Sequence, residues 1–191
     1  TNGDHGDLKV IGNSTPRYEY SFRLGADYKG FDFSIYCQGI GKRKIWGSGQ
    51  LAIPGFNAKE GAMPAAFCKD YWTEDNTDAF YPRAWDLGNS NTGFTMQKQS
   101  KYLLNMAYLR VKNINFGYTF PQKWMNKAYI NNLRVYVSLE NFFTFDHLRG
   151  LPIDPEAISG YSMFTDNYNN GRTGTGTPVF KSLSFGLQLS F

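Results

Sequence analysis

Nowhere does this chain hold an uninterrupted apolar run approaching the roughly 20 residues of a membrane-spanning helix, which excludes helical insertion into a bilayer. Cysteine and histidine are scarce, with two of each. His5 and His147, far apart and with no Cys/His cluster, do not make a zinc or other transition-metal site, so no metal and no cofactor is expected. No Ser/His/Asp or Cys/His arrangement carries a nucleophile motif, and no Gly-rich loop runs from a strand into a helix to cradle a phosphate, so an enzyme is not expected. Charged residues make up only 19% of the chain, and the net charge of +4 comes from scattered basic residues rather than a patch, which argues against nucleic acid. The opening Thr1 to Asp7 has neither the basic start nor the apolar core of a secretory leader.

What the chain does have is aromatic side chains in strand phase. Phe, Trp and Tyr are 17% of residues, while mean hydropathy is only −0.46. From Val179 to Phe191 the sequence alternates, with Leu183, Phe185, Leu187, Leu189 and Phe191 on one face and Ser182, Ser184, Gly186, Gln188 and Ser190 on the other. In a soluble sheet such a face needs a second apolar layer. In a transmembrane barrel lipid covers it, and the small polar face looks into a wet lumen. Barrel strands hide half their residues from a hydropathy average, so a low value fits the same class.

The periodicity predicts about five antiparallel strands, near 17–28, 31–41, 104–120, 133–145 and 179–191. Tyr18, Phe22, Leu24, Phe33, Phe116, Val137, Phe185 and Leu187 are expected to face lipid, and Glu19, Arg23, Asp27, Asp32, Arg134 and Glu140 the lumen. Lys29-Gly30 reads as a hairpin turn, and Gln122 to Lys127 as a single helical turn in a short connector. Residues 42–103 and 146–178 lack periodicity and read as long loops. Short and long connections alternate, so both long loops fall at one end of the barrel, the extracellular one. Five strands cannot close a barrel, since even the smallest bacterial ones need about eight. Their unpaired edges call for further strands, and the chain is expected to be the C-terminal portion of a longer polypeptide. Phe191, an aromatic terminus, is expected to act as a barrel-assembly signal.

One strand is irregular. Ile114, Phe116, Tyr118 and Phe120 put even-numbered residues outward, yet Leu109 and Val111 are the apolar ones further up, with Arg110 and Lys112 charged. A regular strand would point Lys112 at lipid, at a cost of roughly 2–4 kcal/mol at the midplane and about 0–1 near the interface. A β-bulge around Lys112-Asn113 that turns Arg110 and Lys112 inward is therefore expected.

The motifs resemble a known family. Ala107-Tyr108-Leu109-Arg110-Val111-Lys112-Asn113-Ile114-Asn115-Phe116-Gly117-Tyr118-Thr119-Phe120-Pro121 and the run Leu133 to Phe143 are similar to the late strands of SusC/RagA-like TonB-dependent transporters of the Bacteroidetes. Ile11 to Tyr18, Lys29-Gly30-Phe31-Asp32-Phe33 with Gln38-Gly39, Tyr71-Trp72-Thr73 with Asn76, Tyr81-Pro82-Arg83 and Asp154-Pro155-Glu156 match in the same order. Met106-Ala107 and Glu74-Asp75 depart from it. The resemblance implies an outer-membrane barrel of about 22 strands with a plug. It also implies energising through TonB, a SusD-like surface lipoprotein partner, and uptake of a glycan or peptide. The plug and TonB-contacting segment would lie in an N-terminal part. A passive porin-type barrel and a soluble carbohydrate-binding β-sandwich are the alternatives.

Within the long loops, Tyr71, Trp72, Tyr81, Pro82 and Arg83 read as a motif that packs the loop into one shape, since they belong to the family pattern while substrates differ. Trp46, Tyr161 and Tyr168 are the candidates for substrate or lipoprotein contact. Glu74 to Asp78 is oxygen-rich but lacks the Gly and terminal Glu of a calcium loop, and Pro155 sets Asp154 and Glu156 in a turn rather than as a catalytic pair. Cys37 and Cys68 read as unpaired thiols, Cys37 on the lipid face.

Overall fold

The computed structural model describes residues 9–47, 64–83, 99–126, 129–157, 174 and 179–191. Five strands form one antiparallel sheet: β1 (Tyr18–Tyr28), β2 (Phe31–Gly41), β5 (Tyr108–Thr119), β6 (Asn132–Asp146) and β7 (Ser182–Ser190), in the spatial order β1-β2-β5-β6-β7. Every neighbour in space is also the next long strand in sequence, the up-and-down pattern that alternating short and long connections produce. Two short strands, β3 (Lys44–Ile45) and β4 (Leu104–Asn105), pair separately, and the short helices are α1 (Ala65–Lys69) and α2 (Gln122–Met125). By contacts the chain divides into a sheet unit (18–41, 108–146, 178–191) and a loop unit (1–17, 42–107, 147–177).

In the sheet unit, register carries the sequence alternation across all five strands. Leu24 lies opposite Ile35, Ile35 opposite Ile114, Ile114 opposite Leu139, and Leu139 opposite Leu183. The next row reads Ala26, Phe33, Phe116, Val137 and Phe185, and the one after it Tyr28, Phe31, Tyr118, Val135 and Leu187. Directly opposed residues share a face, so one side of the sheet is apolar from edge to edge. That face is exposed among the described residues: Leu24, Phe116, Phe185 and Leu187 are between 50% and 78% exposed. Tyr18, Phe22 and Phe33 are exposed as well, and Val137 is half-buried among its larger neighbours. Cys37 lies on the apolar side as expected, and it is buried there. Its small thiol sits in the row of Phe22, Val111 and Phe143, beneath the surface that larger side chains define. Both cysteines are free thiols.

The expected bulge is present. Tyr36 pairs with Asn113 and Cys37 with Val111, so β2 advances one residue where β5 advances two, and Lys112 is the extra one. On the other side β6 passes from Glu140 to Phe143 over the same step, with Asn141 at φ 56°, in the left-handed region that Asn tolerates. The insertion changes the phase of β5. Leu109 and Val111 join the rows of Phe145 and Phe143 on the apolar side, and Arg110 is buried, with its Nε donating to Thr144 Oγ1 at 2.9 Å.

The short connections leave from one edge of the sheet. Lys29 and Gly30 take positive φ (48° and 87°) to turn the first hairpin, and α2 lies between β5 and β6. The connections 42–107 and 147–181 leave from the opposite edge, where Tyr18 pairs with Gly41 and Tyr108 with Asp146. Among the described residues β1 and β7 each have one unpaired edge, and the sheet is open.

The third strand corrects the sequence reading. Residues 104–107 do not extend β5; Leu104 and Asn105 pair with Ile45 and Lys44 in the loop unit, and the ladder of the main sheet begins only at Tyr108. The long loops also have a core of their own, built from Ile45, Met106, Leu148, Leu151 and Ile153. Apolar residues spaced this irregularly carry no period, which is why sequence alternation gave no sign of them.

Candidate functional site

The polar face of the sheet opposes the apolar one through the same register. Arg23, Tyr36, Asn113, Glu140 and Ser182 form one row, Gly25, Ser34, Asn115, Ser138 and Ser184 the next, and Asp27, Asp32, Gly117, Tyr136 and Gly186 the third. Four of the six residues expected on the lumen side lie in these rows, and Arg134 is one pair further along, opposite Thr119 and Gln188. Glu19, opposite Ile40, completes the set expected from sequence, one strand end away.

These residues are brought together in one place only. Arg134 reaches across β5 and grips Asp32 of β2 with two parallel bonds, Nε to Oδ1 at 2.9 Å and Nη2 to Oδ2 at 2.5 Å. The fork of a guanidinium matches a carboxylate in this bidentate way. The path crosses Gly117, where any side chain would strike both the Asp32 carboxylate and the guanidinium. Arg134 also lies over the ring of Tyr136, 4.8 Å from its centroid, and that ring in turn covers Gly186. Three glycine-and-ring contacts thus tie β2, β5, β6 and β7 on the polar side. Asp27, opposite Asp32, is exposed, and Arg23 stands 5.8 Å from the ring centre of Tyr36. Midway up the wall Asn113 donates to Ser138 Oγ at 2.9 Å and accepts from Asn115 Nδ2 at 3.1 Å.

In the loop unit the motif residues close a second cluster. Tyr81 N–H donates to the Asp70 carbonyl and Trp72 N–H to the Tyr81 carbonyl, each at 3.1 Å, so two stretches ten residues apart run side by side. Phe67 of α1 is buried between Tyr71, stacked at 5.5 Å, and Tyr81. Phe80 meets Tyr102 edge-on at 5.6 Å and carries the Arg149 guanidinium 3.9 Å above its ring centre, while Arg149 also faces the Asp70 carboxylate at 3.7 Å. Arg83 stands 6.0 Å from the Trp72 ring centre, and Pro82 is half-buried. Burial holds the phenols of Tyr81 and Tyr102 protonated to higher pH than usual, and for Tyr81 the nearby Arg149 works the other way. Phe67, Phe80, Tyr102 and Arg149 belong to this cluster although no sequence motif marked them. Aromatic residues scattered through loops give no phase to read.

The remaining sequence candidates lie apart. Trp46 is half-buried just after β3, and Tyr161 and Tyr168 lie outside the described residues. Phe191 is exposed one residue beyond β7. Glu74 to Asp78 is an exposed turn closed by Thr73 and Asn76. Asp154 accepts the Glu156 N–H at 2.9 Å, the Asx turn expected around Pro155. Among the described residues no group of three or more metal-ligating side chains converges.

A five-stranded antiparallel sheet, open among the described residues, apolar on one side and polar on the other, with its long connections leaving from one edge, is the class these features define. No family model matches the chain. The chain is 28% identical over 190 residues to TonB-dependent receptor P3 of Formosa agariphila, an alignment that takes in 97% of this chain and 17% of that protein. TonB-dependent receptor P39 of the same organism is 26% identical over 147 residues, covering 75% of this chain and 14% of that protein. Among solved structures, the RagAB peptide transporter superposes with a TM-score of 0.65 at 24% identity, over 96% of this chain and 18% of its own. The RagAB peptide importer in its closed-closed state gives 0.64 at 26% identity, over 100% and 19%. The chain therefore spans less than a fifth of the length of these relatives. Its likeness to SusC/RagA-like TonB-dependent transporters, read first from motifs, is upheld by sequence relatives and by fold.

Proposed function

We propose that this chain is wall and extracellular-loop structure from the C-terminal part of an outer-membrane transporter barrel of roughly 22 strands, one that imports an oligomeric nutrient, glycan or peptide. The observation that carries the reading is the set of apolar rows running unbroken from β1 to β7, whose large side chains are exposed among the described residues. Water does not leave so broad an apolar face uncovered on a soluble monomer, where such a patch rarely exceeds a few hundred Å². Lipid covers it, and the open edges are then completed by further strands. The TonB-dependent receptors and the RagAB transporter among its relatives support active transport energised through TonB, and RagAB, a named pair, supports a SusD-like lipoprotein seated over the long loops.

In this reading the polar rows face the lumen and plug, with Glu19, Arg23, Asp27, Asp32, Arg134 and Glu140 lining the wall. The Tyr71-Trp72 and Tyr81-Pro82-Arg83 cluster shapes the extracellular loop, and Trp46, Tyr161 and Tyr168 meet cargo or the lipoprotein. The test is growth of a strain deleted for the full-length gene on single glycans and on defined peptides, with and without functional TonB. Loss of growth on one cargo, reproduced by loss of TonB, is the expected result. Unchanged growth on every cargo in the deletion strain would sink the transport reading.

A further inference from the structure

Beyond the polar wall and the aromatic loop cluster, the loop unit holds a cleft of about 770 Å³, within the size range of small-ligand sites. Arg17, Lys42, Lys44 and His147 line it, joined by the amides of Asn13 and Asn105, and no carboxylate of the described residues does so. We infer that this cleft binds a phosphate-class anion, either the phosphate of an outer-leaflet lipid headgroup or a soluble phosphate-bearing molecule.

The cleft is held in shape before any ligand arrives. Lys44 N–H donates to the Asn13 carbonyl and the Arg43 Nε to the Ser14 carbonyl, each at 2.9 Å, which pins segment 12–14 against β3. Gly12 passes so close to Leu103 and the stem of Lys44 that no larger residue fits there. Asn13, which lines the cleft, is held by its Oδ1 accepting the Thr15 N–H. His147 faces the Ala107 carbonyl through Nδ1 at 3.3 Å, a contact that needs the hydrogen on that nitrogen and fixes the ring. The guanidinium and the two ammonium groups are donors only, the Asn13 and Asn105 amide oxygens accept from the Thr15 and Ala107 N–H groups, and an arginine fork with point-charge lysines suits phosphate.

Position favours the same chemistry. In sequence Arg17, Lys42 and His147 directly adjoin the strand ends Tyr18, Gly41 and Asp146, at the edge of the sheet from which the long connections leave. On the transporter reading that edge faces outward, at the level of lipid phosphates, and only this lipid source rests on that reading. Basic residues near such a surface each contribute about 1 kcal/mol of attraction to an anionic headgroup.

The experiment uses the full-length protein purified in detergent, with inorganic phosphate titrated by calorimetry and lipid A binding counted by native mass spectrometry. Arg17→Glu/Lys44→Glu is compared with Lys29→Glu/Lys123→Glu, which makes the same change of charge in the short connections at the opposite sheet edge. The wild type and the second variant are expected to bind, and the first to lose about tenfold or more in affinity, or ~1.4 kcal/mol. Lipid A bound while millimolar phosphate neither binds nor displaces it assigns the site to lipid; displacement by phosphate assigns it to a soluble anion. Binding of neither probe to the wild type, or equal binding by both variants, overturns the proposal. Should the charge reversal prevent folding, Arg17→Gln/Lys44→Gln removes the charge alone and is read by the same criteria. A protein that shows no transport phenotype leaves the phosphate titration intact, so the two readings fail separately.

Discussion

A single ion pair shows how much of the wall is decided by residues that do not touch it in sequence. Asp32 and Arg134 are 102 positions apart and lie on strands that are not neighbours. The alternation of β2 and β6 places both on the polar face, and that much is legible from sequence. Their pairing is not, because it depends on the register of β5 and on the absence of a side chain at Gly117. With both side chains about one quarter exposed, a charge-assisted bidentate contact of this kind is worth about 1.5–3 kcal/mol, much of it the cost of stranding the remaining partner. Arg134→Ala is therefore expected to lower the denaturation midpoint of the detergent-folded protein by that order. Arg134→Lys should recover little of the loss, since an ammonium supplies neither the fork nor the flat face stacked on Tyr136. A lysine variant as stable as wild type would show that charge alone, not geometry, holds the strands there.

Among elements, β5 was the most legible and the loops the least, for one reason: a strand writes its phase into the sequence and a loop does not. The change of apolar parity between Val111 and Ile114 announced the extra residue, and register puts it at Lys112. Deleting Lys112 should leave Arg110 on the polar face, opposite Gln38 and Thr144, but set a single step of β5 against the three steps of β6 from Glu140 to Phe143, and so lower assembly. Lys112→Ala keeps the bulge and should fold nearly as well as wild type. The yield of heat-modifiable, membrane-assembled protein reads this, and equal yields from deletion and substitution would remove the structural role of the bulge. In the loop unit, Leu104 and Asn105 were read as strand for the wrong sheet because a two-residue pairing has no period of its own. The Phe67–Tyr71–Tyr81 cluster yields a pH prediction. The folded phenols of Tyr81 and Tyr102 are raised above the ordinary 10.0, so they keep their protons where the unfolded chain loses its own. The stability they contribute is whole below pH 10.0 and declines as pH rises from there through the raised values. Protease cleavage within residues 64–83 should accelerate over that interval in the wild type and stay flat in Tyr81→Phe/Tyr102→Phe; identical alkaline profiles would refute the assignment.

For the whole molecule, the decisive property is that two neighbouring residues of one strand lie on faces of opposite character. Phe185 is 78% exposed in the apolar row with Phe116 and Val137, and Ser184 lies in the row of Asn115 and Ser138 on the other face. No helix of the described residues is long and apolar enough to cross a membrane. If lipid covers the apolar rows, a reporter at 185 must sit among acyl chains, while one at 184, a single residue along, must sit in a polar lumen, because side chains alternate. Phe185→Trp and Ser184→Trp, each in the full-length protein reconstituted into vesicles of phosphatidylcholine with brominated acyl chains, separate these cases. Differential quenching against unbrominated vesicles isolates the added tryptophan from the native ones. Strong extra quenching at 185 with none at 184 is expected. Equal quenching at both would mean that the face is covered by protein or water, and a register slip of one residue in β7 would reverse the pair, since that slip carries every side chain of the strand to the opposite face.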